Sequence, residues 1–213
     1  MTDDEPAATQ LYLISPLDVG GTFPDRLARA LDAAPVAAFQ FRVKDMDEHQ
    51  AARLAEPLQA ICAERGVAFI VNDSIGLAKR IGADGVHLGQ SDGTVADARE
   101  RLGRDAQIGV TCHGSRHLAM EAGDAGADYV AFGAFFPSTT KDIEHRAELD
   151  VLTWWRELME IPCVAIGGIT PDNCGPLVEA GADFLAVSGA VWNGDEAAAV
   201  QAFHRAIAAA GEA

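Results

Sequence analysis

Several short stretches of this chain collect residue types that handle phosphorylated molecules. In Gln40-Phe41-Arg42-Val43-Lys44, period-two alternation puts Gln40, Arg42 and Lys44 on one face, so an amide and two cations converge. Two cations there are costly without anions to pair with. That points to a polyphosphate clamp, with a salt-bridged surface strand end as the alternative. Asn72-Asp73 and Gln90-Ser91-Asp92 each close on a carboxylate. Together Asp73 and Asp92 suit a hard cation such as Mg2+, which takes one or two carboxylates plus phosphate oxygens. Singly, each could merely cap the helix that follows.

Thr111-Cys112-His113 offers a hydroxyl for phosphate and an imidazole that is either an acid/base or a packed core histidine. His87, inside another apolar run, reads as structural. Ser138-Thr139-Thr140-Lys141 follows Pro137 and sets three hydroxyls and a lysine on one loop, either an anion-binding loop or an ordinary polar one. Gly168 and the pair Ser188-Gly189 stand where backbone N–H groups can meet a phosphate.

Such clusters need a scaffold that brings them together. Eight short apolar runs begin at Leu11, Ala37, Ala68, Gly85, Gln107, Tyr129, Cys163 and Phe184. Most are continuously apolar, as strands buried on both faces of a parallel sheet are. Helix-like stretches lie between them, among them residues 47–65, 94–102, 117–125, 147–159 and 196–210. Strand–helix alternation repeated in this way predicts an α/β fold, a single parallel (β/α)8 TIM barrel, although an open doubly wound sheet gives a similar string. In a barrel every cluster above falls at the carboxyl end of a strand, where the active sites of this architecture lie. Gly-Ala-Asp recurs at residues 82–84, 126–128 and 181–183, each time before a predicted strand. Its glycine fits a left-handed helix cap and its aspartate the turn into the strand.

The composition, 49% hydrophobic and 23% charged, is that of a globular protein. Residues 1–10 read as a disordered acidic segment and 11–213 as one barrel domain, with no linker between. The four cysteines show no metal-ligand spacing and no disulfide framework. The start MTDDEPAATQ is unlike a signal peptide, and no apolar run reaches membrane-spanning length, so a cytoplasmic location is expected. A net charge of −16 argues against nucleic acid or an anionic membrane as partner. Small phosphorylated substrates remain compatible, because a local cluster of cations and N–H groups can hold one phosphate. Association into a homo-oligomer is left open.

Taken in order, the blocks Gln40 to Lys44, Asn72-Asp73, Gly82 to Asp92, Gly109 to His113, Pro137 to Lys141 and Val164 to Ile169 resemble the thiamine phosphate synthase family over roughly Leu11 to Val191. The resemblance implies a transferase that joins a hydroxymethylpyrimidine diphosphate to a thiazole phosphate, releasing pyrophosphate. It implies that Gln40, Arg42, Lys44 and Asn72 hold the pyrimidine diphosphate and that Asp73 and Asp92 bind Mg2+ on it. Thr111 and Lys141 would contact the same substrate or its leaving group. Ser138, Thr139, Thr140, Gly168, Ser188 and Gly189 would surround the thiazole phosphate. Arg42, Lys44 and Lys141 would stabilise the departing charge. Three departures stand out: Ser138 replaces the family's usual threonine, Gly189 aligns with its strand-eight serine, and Ser74-Ile75-Gly76 lacks a further aspartate. Two other readings are kept: a related thiazole tautomerase using His113 for proton transfer, and a non-catalytic sensor of thiamine precursors.

Overall fold

Each of the eight apolar runs is a strand. The computed structural model describes residues 8–137 and 146–212, and hydrogen bonding closes its strands in chain order into an all-parallel barrel. In order they are β1 Gln10–Ile14, β2 Ala38–Phe41, β3 Ala68–Asn72, β4 Gly85–Leu88, β5 Gln107–His113, β6 Tyr129–Gly133, β7 Cys163–Ile166 and β8 Phe184–Val187. Around them run α1 Phe23–Ala33, α2 Glu48–Glu64, α3 Ile75–Ile81, α4 Val95–Leu102, α5 Arg116–Asp124, α6 Asp150–Leu158, α7 Gly175–Glu179, α8 Gly189–Trp192 and α9 Glu196–Gly211. The first strand starts at Gln10, one residue ahead of the expected start, and Thr9 is already tied to the β8 end by a 2.7 Å bond from its hydroxyl to Ala182 O. No described helix is long and apolar enough to cross a membrane.

The strands alternate despite their apolar composition. Leu11, Leu13, Phe39, Phe41, Phe69, Val86, Ile108 and Phe132 face the helices and join the large outer core. Tyr12, Ile14, Ile70, Tyr129, Ala131, Val164 and Ala186 point inward and form a smaller cluster of their own. The interior of an eight-stranded barrel is just wide enough for side chains to fill it, so a large residue on one strand needs a small one beside it. Gly109 meets that need: a Cβ there would fall on the ring of Tyr129, its partner in the β5–β6 register.

Helix entry is fixed by polar caps. Asp47 accepts from the N–H groups of His49 and Gln50, Ser74 from Leu77, Thr94 from Asp97 and Ser115 from Leu118, each satisfying a first-turn N–H that the helix itself cannot. The Gly-Ala-Asp repeats do more than turn the chain. Their glycines adopt positive φ as expected, 62° at Gly82, 87° at Gly126 and 95° at Gly181. The aspartates then reach sideways to the preceding strand. Asp84 Oδ2 accepts from Phe69 N, Asp128 Oδ2 from Ile108 N and Asp183 Oδ2 from Cys163 N, each at 2.7 Å. Their own N–H groups bond back to the carbonyls of the same three residues. This two-way clamp pins β3, β5 and β7 at the amino end of the barrel, opposite the mouth.

Because the clamps lie at the end away from the clusters, stability and activity should separate. Asp128→Ala removes the partner of Ile108 N–H and of Arg99, which donates to the same carboxylate at 2.6 Å. We expect a loss of about 1–3 kcal/mol in urea unfolding, with ligand binding at the opposite end of the barrel essentially unchanged. A variant as stable as the parent would show that the clamp carries no weight.

Candidate active site

At the mouth, β2 ends at Phe41, earlier than period-two alternation suggested. Gln40 points into the barrel, but Arg42 and Lys44 lie beyond the strand. The Ser15 hydroxyl takes over from the ladder there, accepting from Arg42 N at 2.9 Å and donating to Arg42 O at 3.1 Å. The chain turns back at Asp45, whose φ is 53°. Among the described residues neither Arg42 nor Lys44 forms a salt bridge. Both cations instead act on Asp73 across the next strand end.

Asp73 sits at the β3–α3 junction in the left-handed region, φ 66°. It does not cap α3, because Ser74 does, and Asp92 does not cap α4, because Thr94 does. Asp92 folds into its own loop, with Oδ2 accepting from Gly89 N at 3.0 Å, and shares a hydrogen bond with the Asp73 carboxyl. Burial, then the neighbouring charge and hydrogen bond of Asp92, push the Asp73 carboxyl up to about 6, while Lys44 and Arg42 pull the other way. Two oxygen-donor carboxylates side by side at partial burial are the donor chemistry of a hard divalent cation. No cluster of three or more His, Cys, Asp or Glu of ligating geometry occurs among the described residues. Asn72 occupies the last position of β3, paired in register with His87.

Thr111 and His113 diverge. β5 carries a bulge between them, and His113 adopts φ 53°. Thr111 faces inward, its hydroxyl 2.8 Å from His87 Nε2 and its carbonyl accepting from Gln90 Nε2 at 2.6 Å. Gly168, φ 65°, is pressed against the β6 loop, where a Cβ would strike the carbonyls of Phe136 and Pro137. Asn173 holds that turn through Nδ2 to Gly168 O at 3.0 Å and Oδ1 from Thr170 N at 2.8 Å. The Ser188 hydroxyl donates to Ser15 O at 3.4 Å, and Gly189 opens the short helix α8. Ser138, Thr139, Thr140 and Lys141 lie outside the described residues. So the structure gathers Gln40, Arg42, Lys44, Asn72, Asp73, Asp92 and Thr111 around β2 to β5, and Gly168, Ser188 and Gly189 around β7 and β8.

Two residues escaped the sequence reading. Tyr12 and Tyr129 join Gln40 to His87 through their hydroxyls. Burial raises both phenols, Tyr12 to about 12 and Tyr129 well above its ordinary value, and pulls His87 down to about 4, so at neutral pH this group carries no charge. The available signal was Gly109, a small residue that makes room for Tyr129 inside the barrel.

Comparison with known proteins bears on what this mouth does. A family model described as thiamine monophosphate synthase matches residues 11–191. A thiamine-phosphate synthase of Erythrobacter litoralis is 74% identical over 206 residues, covering 95% of this chain and 97% of that protein. One of Rhodospirillum centenum is 54% identical over 199 residues, covering 92% and 96%. A solved structure of thiamine phosphate pyrophosphorylase from Pyrococcus furiosus superposes with a TM-score of 0.84 at 29% identity, over 94% of this chain and 96% of that one. These relatives carry the synthase name, which sets aside the tautomerase and sensor readings.

The charge arrangement around Asp73 can be tested by itself. A carboxylate whose folded-state value lies above its ordinary one costs the fold more as it ionises. Without divalent cations, stability should therefore fall as pH rises from the ordinary 3.8 to about 6. Asp73→Asn removes that cost, so the variant should unfold at a higher temperature than the parent above pH 6, the gap closing toward pH 4. An identical pH profile for the two proteins would contradict the assigned repulsion.

Proposed function

We propose a role for each of these side chains from one premise: the chain belongs to the thiamine monophosphate synthase family, transferases that join a hydroxymethylpyrimidine diphosphate to a thiazole phosphate to give thiamine phosphate and pyrophosphate. The observation that carries the assignment is the meeting of Asp73, Asp92, Arg42 and Lys44 at adjacent strand ends, used neither as helix caps nor, among the described residues, in salt bridges. Gln40 and Asn72 take the pyrimidine side of the substrate, and Arg42, Lys44 and Thr111 its diphosphate. Asp73 and Asp92 would hold Mg2+, which when bound neutralises charge on the phosphate oxygens. Lys141 completes the cation set around the leaving group. Ser138, Thr139 and Thr140, with the backbone at Gly168, Ser188 and Gly189, take the thiazole phosphate.

The electron-rich aminopyrimidine can carry positive charge at its methylene carbon, so the C–O bond breaks first and its electron pair leaves with pyrophosphate. The ring nitrogen of the thiazole then donates its lone pair to that carbon, forming the C–N bond and becoming the thiazolium. No side-chain nucleophile is required. The chain supplies positioned positive charge where the pyrophosphate develops negative charge, and an alignment that keeps water from reaching the carbon before the thiazole does. In this reading the reaction runs in the cytoplasm on small phosphorylated substrates, with neither nucleic acid nor membrane as partner.

Incubating the pure chain with both substrates and Mg2+ should yield thiamine phosphate and pyrophosphate one for one. Chelation should stop the reaction, and added Mg2+ should restore it. Asp73→Ala should lose at least about a hundredfold in kcat, as removal of one transition-state electrostatic contact does elsewhere. Arg42→Ala should raise KM for the pyrimidine diphosphate and leave that for the thiazole phosphate near its parent value. Full activity in a chelator, or in Asp73→Ala, would remove the carboxylate pair from the mechanism.

A further inference from the structure

A file of five polar side chains crosses the barrel interior from β2 to β5. Gln40 Nε2 donates to Tyr12 Oη at 3.1 Å, and the hydroxyls of Tyr12 and Tyr129 are 3.0 Å apart. Tyr129 Oη is 3.1 Å from His87 Nδ1, and His87 Nε2 is 2.8 Å from Thr111 Oγ1. Gln40, Tyr12, Tyr129 and His87 are all buried. The Tyr129 and His87 rings stack at 5.6 Å with 25° between planes, and Tyr12 meets Tyr129 edge-on at 6.1 Å, so the rings hold the hydroxyls in line.

The directions of these bonds are not independent. An amide N–H can only donate, so Tyr12 Oη accepts from Gln40 and its own hydrogen needs an acceptor. Tyr129 Oη supplies it, and the hydrogen of Tyr129 passes in turn to His87 Nδ1. A buried imidazole between a tyrosine and a threonine, with no anion hydrogen-bonded to its ring, is neutral. Its single hydrogen is then on Nε2 and is donated to Thr111 Oγ1. Reversing any one bond alone sets two hydrogens against each other or leaves a buried hydroxyl unpaired, at a cost of about 1–3 kcal/mol. The file therefore has one polarity. At one end the Gln40 Oε1 acceptor is unused among the described residues, and at the other the Thr111 hydroxyl keeps its hydrogen to donate.

We propose that Tyr12, Tyr129 and His87 are positioning and specificity-determining residues: they couple an acceptor at Gln40 to a donor at Thr111, matching the amino group and the diphosphate of one aminopyrimidine substrate. This rests on the assignment of Gln40 and Thr111 to the pyrimidine diphosphate made above. The amino group is a donor and the phosphates are acceptors, so the two ends of the substrate demand the two ends of the file. A pyrimidine diphosphate bearing a carbonyl in place of the amino group would meet a lone pair at Gln40. A site built to pair one polar group rejects the wrong one strongly, because its own group is left unpaired.

Three measurements test this. In 15N-histidine-labelled full-length protein, the His87 resonances are those lost in His87→Gln, and their shifts should report the neutral Nε2–H tautomer. The Nδ1–H tautomer would overturn the proposed polarity, whatever any variant does. Second, Tyr129→Phe breaks the file and frees the Gln40 amide to turn. Its preference in kcat/KM for the amino over the oxo pyrimidine diphosphate should fall by about tenfold, the equivalent of about 1.4 kcal/mol. KM for the thiazole phosphate should stay within about twofold of the parent value. An unchanged preference in folded Tyr129→Phe would overturn the coupling. Third, Gln40→Ala and Thr111→Val separate the two layers of argument. If neither raises KM for the pyrimidine diphosphate, the substrate assignment fails and the proposal with it. If both do while Tyr129→Phe changes nothing, only the coupling fails.

Discussion

Burying two tyrosines and a histidine inside a closed parallel barrel is unfavourable unless every polar atom finds a partner there. In this chain they find one another, and no buried side-chain nitrogen or oxygen among the described residues is left without a hydrogen bond. Much of the interior follows from that requirement. Gly109 stays small so that the Tyr129 ring can enter, and Tyr12 and His87 must sit on strands at the same height to meet it. The other inward residues are alanine, isoleucine, valine and phenylalanine, which need no partners.

Above the polar layer the problem becomes one of charge. The protein is strongly acidic, with a net charge of −16, yet its mouth holds two cations at the end of β2 that no described carboxylate neutralises by direct contact. The adjacent Asp73–Asp92 pair is under the opposite tension, with like charges close enough to raise one of them. In the function proposed above, both imbalances would be relieved by the same event, the arrival of a polyphosphate with its counter-cation. An acidic surface elsewhere is no obstacle, since exposed charges more than about 10 Å away are largely screened at ordinary ionic strength.

Much of this was legible in the sequence, for identifiable reasons. Eight strands could be counted because continuous apolar runs of four to eight residues are short for helices and were bounded by glycine, aspartate or proline. The carboxyl-end rule then picked out Gln40, Arg42, Lys44, Asp73 and Asp92 without any coordinates. What failed were extrapolations of a local period. Alternation along Gln40 to Lys44 assumed a strand that the Ser15 hydroxyl ends at Phe41. Neither local chemistry nor period revealed that the Gly-Ala-Asp aspartates clamp a neighbouring strand, because that contact joins residues about 15–20 positions apart. Tyr12 and Tyr129 were hidden for the same reason: their partners lie across the barrel. The doubt over whether Asp73 and Asp92 were only helix caps could have been reduced from sequence, since Ser74 and Thr94 follow them and are good caps themselves.

His87 shows why structural and functional are poor opposites for an interior residue. It packs on Tyr129, fills space between β4 and β6, and gives up its carbonyl to Asp73 N at 2.8 Å, all of which is structural. Yet its two ring nitrogens cannot both donate while it is neutral, so its place in the fold fixes which way the Thr111 hydroxyl points. The same contacts that settle its packing settle the hydrogen-bonding face of the mouth. The aspartate clamps hold the amino end of the barrel through bonds to backbone N–H groups, joined at Asp128 by the Arg99 side chain, whereas the polar layer lies between the packed interior and the proposed substrate side. Substitutions at the clamps should therefore act on stability, and in the proposed reading substitutions in the polar layer act on recognition as well. That difference follows from which bonds end at the amino end of the barrel and which end on groups assigned to the substrate.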